Sequence, residues 1–332
     1  MSRKATIKDI AKIVGVTPAT VSNVLNGNNR FSEDTKKRIL AAAKQLNYTP
    51  NMFARALVKN RSYTIGLFIP ASPRAFLDPY FSELLRGLTE IALEHGYVVS
   101  IIYADGLNET VRNRIDGLVL TEVKVKDEYV SFFQRANVPF VSLARGAENE
   151  LEDYVVSDTR RGLEEAIKYL ARLGHRRIGY ALGPLAYEYV YERYSIFRDI
   201  QRKMGLICEA TDVGTGENSR QGGRMAARRI MRAASEKPTA ILASTDVMAL
   251  GVIEYLQSIG MSVPEDVSVV GFDDAPFSRY VTPPIATVRH DIYQLGRHAA
   301  SMLISKLEGR DYTKPIILPV KFIVRGSISS PR

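Results

Sequence analysis

A single cysteine, Cys208, in 332 residues excludes an internal disulfide and any cysteine-rich metal site. The four histidines, His95, His175, His290 and His298, are scattered without metal-ligand spacing. No apolar run approaches the ~18 residues of a membrane span. The opening residues, Met1-Ser2-Arg3-Lys4, lack the apolar core of a signal peptide. Low-complexity tracts are missing, as are a Walker loop, a Gly-x-Gly-x-x-Gly turn after a strand and a nucleophile elbow. Asp273-Asp274 could pass for paired carboxylates, but no catalytic partner accompanies them. These absences point to a cytoplasmic protein that is not an enzyme and carries no metal or cofactor. Its length calls for more than one folding unit.

Acidic residues are also scarce, but only at one end. The first 62 residues hold 12 Lys and Arg against Asp9, Glu33 and Asp34. Subtracting these from the chain totals of 45 and 36 leaves 33 of each sign in the remainder. The whole formal charge of +9 therefore sits in the first fifth of the chain, where a phosphate backbone would draw on it.

The same stretch has a helical rhythm. Thr6 with Asp9 forms a capping-box pattern for a helix over 7–14, with Ile7, Ile10, Ala11 and Val14 on one face. Gly15 ends it. Thr17 caps a second helix with Pro18 at its first position, where a missing N–H costs nothing. Val21, Val24 and Leu25 supply the buried side. Thr17, Pro18, Ala19, Thr20, Ser22, Asn23 and Asn26 are left outward or at the helix start, small and polar enough to lie in a major groove. Ser32 caps a third helix over 33–46, with Ile39, Leu40, Ala43 and Leu46 inward. Taken alone, the pattern also fits a helical hairpin at the edge of an ordinary domain.

Two segments decide between these readings. "TIKDIAKIVGVTPATVSNVLNG" and the following "FSEDTKKRILAAAKQLNYTPNMFARAL" closely resemble the N-terminus of LacI/GalR-type transcriptional regulators. That resemblance implies a recognition helix from about Pro18 to Asn26, with Pro18, Ala19 and Asn23 toward base edges. Most members carry Arg at the position of Asn23; Asn pairs with adenine where Arg favours guanine. Asn51 to Leu57 is too short to be a stable helix in water; the resemblance implies that 49–62 is a hinge in which this stretch orders as a helix only on operator DNA. There Leu57 would wedge into the minor groove, Arg55 hold phosphate or groove edges, and Tyr48, Asn51 and Ala54 complete the contacts. Without the resemblance, Leu57 reads as a linker leucine docked on its own core.

From Tyr63 onward strands and helices alternate. Strands are expected over 64–69, 97–103, 117–120, 138–143, 177–182, 240–243 and 267–272, and helices over 80–95, 162–173 and 247–259. Repeated βα units of this kind form parallel sheets covered by helices on both faces. The resemblance extends over nearly the whole chain, strongest in "LGHRRIGY", "STDVMALGVIEYL" and "VPEDVSVVGFDD". It implies a two-lobed core like that of periplasmic binding proteins over 63–332. The N-lobe would comprise about 63–156 and 289–319, the C-lobe about 157–288 and 320–332, and 1–48 would be the DNA-binding domain.

An effector would then bind between the lobes, a sugar or sugar derivative by the chemistry on offer. Asp78, Tyr80 and Phe81, Arg145, the loop residues Tyr187, Tyr189 and Arg193, and Asp246 and Asp273 are the candidates. Carboxylate and guanidinium can chelate hydroxyls while rings stack on C–H faces. Asp246 opens a helix and Asp273 ends a strand, so each also suits a structural role. The chain departs from the family pattern at 105–114, where ten residues replace a longer helix.

The expected whole is a dimeric repressor of carbohydrate-utilisation genes on a palindromic operator, nucleoid-associated when DNA-bound, without the tetramer-forming tail of some members. An alternative is control by a phosphocarrier protein. The helix over 293–306, which would receive it, has Ser301 where such relatives carry a basic residue.

Overall fold

A computed structural model describes residues 5–25, 30–46, 48, 61–69, 79–104, 114–146, 151–207, 209–233 and 235–332. The chain divides into two compact units, Met1–Ser62 and Tyr63–Arg332.

The first unit is a three-helix cluster. Helix α1 (Ile7–Val14) begins where Thr6 donates from its N–H and its Oγ1 to the Asp9 carboxylate, at 2.8 and 2.7 Å. It ends at Gly15, whose φ of +73° is open to a residue without Cβ. Helix α2 (Pro18–Leu25) starts under Thr17, whose Oγ1 accepts from the Thr20 N–H at 3.1 Å. Helix α3 (Glu33–Gln45) is capped by Ser32. Ile10, Ala11, Val14, Val21, Val24, Ile39, Ala42 and Ala43 close one small core. Leu40 does not join it: at 55% exposure it points outward. The inward face follows 39, 42, 43 and 46, and position 40 lies about 100° round from Ile39. Arg38 ties α3 to α1 by donating to the Val14 carbonyl at 2.6 Å.

In the second unit, a four-stranded parallel sheet has the order β2-β1-β3-β4, from β1 (Thr64–Ile69), β2 (Val98–Tyr103), β3 (Gly117–Leu120) and β4 (Phe140–Ser142). Beside it, β5 (Val155–Ser157) pairs in parallel with β11 (Ile316–Leu318). A six-stranded sheet, order β12-β10-β9-β8-β6-β7, forms the other lobe. Its strands are β6 (Ile178–Leu182), β7 (Val213–Thr215), β8 (Ala240–Ala243), β9 (Ser268–Asp273), β10 (Ala286–His290) and β12 (Val320–Ile323), and only β12 runs antiparallel. Strands β3, β6, β8 and β9 are buried at every position, as strands covered on both faces must be.

Helices α4 (Pro79–Glu94), α5 (Glu128–Arg135) and α10 (Ile292–Glu308) cover the first lobe; α6 (Thr159–Leu173), α7 (Glu188–Met204), α8 (Arg220–Ala233) and α9 (Asp246–Ser258) cover the second. Helices α4 and α10 pack backbone to backbone. A Cβ on Gly87 would sit 2.1 Å from the Tyr293 carbonyl, and one on Gly296 would sit 2.3 Å from that of Leu84. No larger residue fits at either crossing.

The chain passes between the lobes three times: from β5 into α6, from β10 into α10, and from β11 across Pro319 into β12. The "LGHRRIGY" run supports the second lobe. His175, buried, bridges Thr239 Oγ1 at 2.8 Å and the Ser329 carbonyl at 2.9 Å. Arg177, also buried, holds Asp212 at 3.0 Å and Glu209 at 2.7 Å. The short segment at 105–114 lies, but for Arg114, outside the described residues.

A DNA-reading face and an interlobe cleft

In the three-helix unit, Val21 and Val24 occupy the inner side of α2, so Thr17, Pro18, Ala19 and Asn23 are left exposed while Thr20 and Ser22 are half-buried. This is the geometry of a helix that presents its first turn and one long side outward. Thr6 is exposed at the start of α1. Tyr48 is half-buried against the three-helix core, and its N–H donates to the Ala43 carbonyl at 2.9 Å. Asn26, Asn51, Ala54, Arg55 and Leu57 lie outside the described residues, and with them the hinge.

The cleft in the second unit opens where strands end at the crossovers, as in other sheets of this class. About 840 Å³ of unfilled space lies within it and its open mouth together. The first lobe contributes Tyr80 and Phe81 from the opening turn of α4, Glu122 after β3, and Arg145 after β4. Opposite them stand Glu188, Tyr189, Glu192 and Arg193 from the first turns of α7. Asn218, Thr245, Asp273, Ser157 and His290 close the floor.

Arg193 is the centre of this wall. Its Nη1 donates to the Ser244 carbonyl at 2.5 Å and its guanidinium lies 3.6 Å over the Phe272 ring. Its Nη2 stands 3.8 Å from Asp273 Oδ1, an ion-pair distance too long for a hydrogen bond. Asp273 adopts φ of +119°, a costly backbone for a residue with a Cβ, and such strain concentrates at binding sites. The same carboxylate meets His290 Nε2 at 3.0 Å, and His290 Nδ1 meets Ser157 Oγ at 3.1 Å. A carboxylate oxygen accepts, so His290 Nε2 donates to Asp273, while Nδ1 pairs with the Ser157 hydroxyl, which can serve in either role. Tyr189 is held by Asn218, whose amide donates to its hydroxyl at 3.3 Å. Burial, and then the negative charge of Glu122, push the Tyr189 hydroxyl well above its ordinary range, so it stays a neutral donor.

The lobes touch along one edge of the cleft. The Val125 N–H donates to the Ala186 carbonyl at 3.0 Å and the Glu188 N–H to that of Val123 at 2.9 Å. Arg145 Nε meets Glu192 at 3.0 Å across the same gap.

Tyr80, Phe81, Arg145, Tyr189, Arg193 and Asp273 thus come together in the cleft. Asp78 lies outside the described residues. Asp246 does not line the cleft. It is fully buried behind it, accepting from the Ala275 N–H at 2.7 Å and from Thr287 Oγ1 at 2.6 Å, and Thr245 is the residue that caps α9. Burial, with the Asp273 charge nearby, holds the Asp246 carboxyl well above the usual carboxylate range. Tyr187 does not line it either; it flanks Tyr189, rings stacked with centroids 6.0 Å apart. Nor are Tyr187 to Arg193 a loop: Tyr187 is the N-cap of α7 and the rest are its first turns, with Tyr191 turned 53% to solvent. Residues at the cleft that the sequence did not single out include Ser157 and His290. Both sit at strand ends where the chain crosses between lobes, a signal that could have found them.

A three-helix reader of this form joined to a two-lobed binding core defines a ligand-controlled DNA-binding regulator. Residues 6–51 match the family described as bacterial regulatory proteins, lacI family, and residues 167–328 match the periplasmic binding protein-like domain. The HTH-type transcriptional repressor PurR of Haemophilus influenzae is 32% identical over 98% of this chain and 99% of its own length. A transcriptional regulator CelR–cellobiose complex superposes with a TM-score of 0.74 at 28% identity, covering 97% of this chain and 99% of that one. The lac repressor dimer bound to operator and an anti-inducer shares the fold, with a TM-score of 0.82 at 24% identity over 98% and 100% of the two chains. The chain belongs to the LacI family and is a DNA-binding transcriptional regulator. PurR is a repressor, as are the relatives ExuR of Bacillus subtilis and CytR of Escherichia coli, and they lend no support to control by a phosphocarrier. Among the described residues no helix is long and apolar enough to cross a membrane, and no group of three His, Cys, Asp or Glu could hold a metal.

Proposed function

We propose that this protein is a homodimeric repressor of carbohydrate-utilisation genes, released from or locked onto a palindromic operator by a sugar held in the interlobe cleft. In this reading 1–48 is the DNA-binding domain, 49–62 the hinge, and 63–332 the effector and dimer core. A single recognition helix reads one half-site, so a palindrome calls for two copies. Thr17, Pro18, Ala19, Thr20, Ser22, Asn23 and Asn26 face the major groove, Thr6, Tyr48 and Asn51 the backbone, and Ala54, Arg55 and Leu57 the minor groove. The segregated basic charge of the first 62 residues supports this assignment.

One observation carries the effector half: Arg193 and Asp273, both buried, stand 3.8 Å apart on one wall of a cleft that Tyr80, Phe81 and Tyr189 also line. A sugar hydroxyl entering there can donate to the carboxylate and accept from the guanidinium, while the rings cover its C–H faces. The cellobiose held by the CelR relative agrees with that chemistry. Ligand bound to both lobes biases their relative angle, and hence the spacing of the two hinges in a dimer. A coupling of ~1–3 kcal/mol changes operator affinity ~5–150-fold.

The test is fluorescence anisotropy of labelled palindromic DNA from the gene's own upstream region, over several salt concentrations and with a panel of neutral sugars. The full chain is expected to bind with a steep salt dependence that one sugar shifts, and a chain beginning at Ser62 is expected not to bind. Salt-insensitive binding, or binding retained by the shortened chain, would refute the assignment of the first unit. Operator binding that no small molecule shifts would refute the effector half.

A further inference from the structure

Among the described cleft residues, His290 bonds both to the Asp273 carboxylate and to a lobe crossover. It is the last residue of β10, immediately before the chain leaves for α10, and Ser157 is the last residue of β5, immediately before the chain leaves for α6. The imidazole joins these two crossing points at 3.1 Å through Nδ1 and reaches Asp273 at 3.0 Å through Nε2. Its faces are confined: Tyr80, from the first lobe, stacks at 6.1 Å and 25°, and Phe272, from the second, meets it edge-on at 5.3 Å. Both bonds and the ring are buried, with His290 6% and Ser157 7% exposed.

We infer that His290 is the positioning residue through which the effector's hold on Asp273 is converted into a change in the two crossovers, and so into the angle between the lobes. The inference rests on the cleft being the effector site. A carboxylate can accept about four hydrogen bonds, and Arg193 Nη2 at 3.8 Å is outside hydrogen-bonding range of Asp273, so a ligand hydroxyl finds acceptor capacity there. Engaging it turns the carboxylate. The Nε2–H must follow to keep its bond, because a buried donor left unmet is costly. The ring cannot swing alone between Tyr80 and Phe272, so its motion is passed through Nδ1 to Ser157. A side chain that stands at one crossover, bonds to the other and holds the cleft carboxylate at its far end is what such a coupling needs.

The test uses the full chain and the operator assay, read at saturating sugar so that lost affinity does not enter. Cellobiose is the first probe and ribose the second, with saturation followed by calorimetry. Wild type is expected to show an operator shift within the ~5–150-fold range of allosteric couplings. His290→Phe keeps a flat ring between Tyr80 and Phe272 but removes both bonds, and should leave a shift under ~2-fold. His290→Gln can donate at one end and accept at the other, and should restore most of it. Ser157→Ala, which cuts only the crossover bond, should also lower the shift, and it serves if His290→Phe does not fold. A full shift in His290→Phe or Ser157→Ala with sugar bound overturns the inference while the cleft reading stands. If wild type binds neither probe, the sugar panel supplies the probe; operator binding that no sugar of the panel shifts removes the signal His290 would carry and overturns the inference together with the effector reading.

Discussion

Asp246 offers the sharpest test of how the second lobe is held behind the cleft. Its two oxygens each have one partner, the Ala275 N–H at 2.7 Å and the Thr287 hydroxyl at 2.6 Å, and all three residues are buried. Asp246→Ala strands both partners. Each buried unmet group costs about 1–3 kcal/mol, so the loss should be about 2–6 kcal/mol. Asp246→Asn can accept from Ala275 with its oxygen and donate with its amide once the Thr287 hydroxyl rotates to accept, as it must toward a protonated carboxyl, and should lie within about 1 kcal/mol of wild type in mild acid. The sign of the pH effect follows from the raised carboxyl. The folded form keeps its proton where the unfolded form, with an ordinary value near ~3.9, has lost it. Stability from this group is therefore present at low pH and lost as pH rises toward the raised folded value, by up to ~1.4 kcal/mol per pH unit. Asn has no proton to lose, so Asp246→Asn should gain on wild type as pH rises. Urea unfolding at pH 5, 6.5 and 8 reads both effects. An Asn variant as unstable as the Ala variant, or a gap from wild type that does not change with pH, would refute the buried-proton account.

Three further outcomes follow from named contacts. Gly87→Ala, normally stabilising in a helix by ~0.5–1 kcal/mol, should instead destabilise by ~1–3 kcal/mol, because its Cβ would meet the Tyr293 carbonyl at 2.1 Å; thermal melts decide the sign. Arg177→Met leaves the fully buried Asp212 without its guanidinium and should cost ~3–5 kcal/mol, whereas Glu236→Ala, removing an 80% exposed partner at 3.5 Å, should cost less than ~1 kcal/mol by urea unfolding. Asn23→Arg should move the base preference at one operator position from adenine toward guanine, read by selection from random DNA; an unchanged preference would remove Asn23 from the base-reading set.

Periodicity was enough to find the three helices and most strands because each buries one continuous face. Ile10, Ala11 and Val14, or Ile65, Leu67 and Ile69, announce themselves by spacing alone. It failed where side chains obscure the period. Helix α7 opens Tyr187-Glu-Tyr-Val-Tyr-Glu-Arg, a run of aromatic and β-branched residues of modest helix propensity, and reads as a loop. Its buried set of Val190, Arg193, Ile196, Phe197 and Ile200 is helical in spacing, but the buried Arg193 breaks the apolar signal at the residue that matters most to the cleft.

The assignment of Asp246 and Asp273 marks a deeper limit. Both are acids at the carboxyl ends of adjoining βα units, and nothing in their local sequence distinguishes them. The difference comes from what the neighbouring strands offer. Thr287 on β10 and the Ala275 N–H capture Asp246 from behind, while His290, three residues on from Thr287, meets Asp273 from the cleft side. One strand thus directs one carboxylate into the core and the other toward the cleft, and the parallel register of β9 on β10 fixes which is which. The choice is a property of strand pairing across tens of residues. Burial first, and then the neighbouring Asp273, disfavour a negative charge on Asp246, so the acid behind the cleft and the acid at its surface form one electrostatic arrangement.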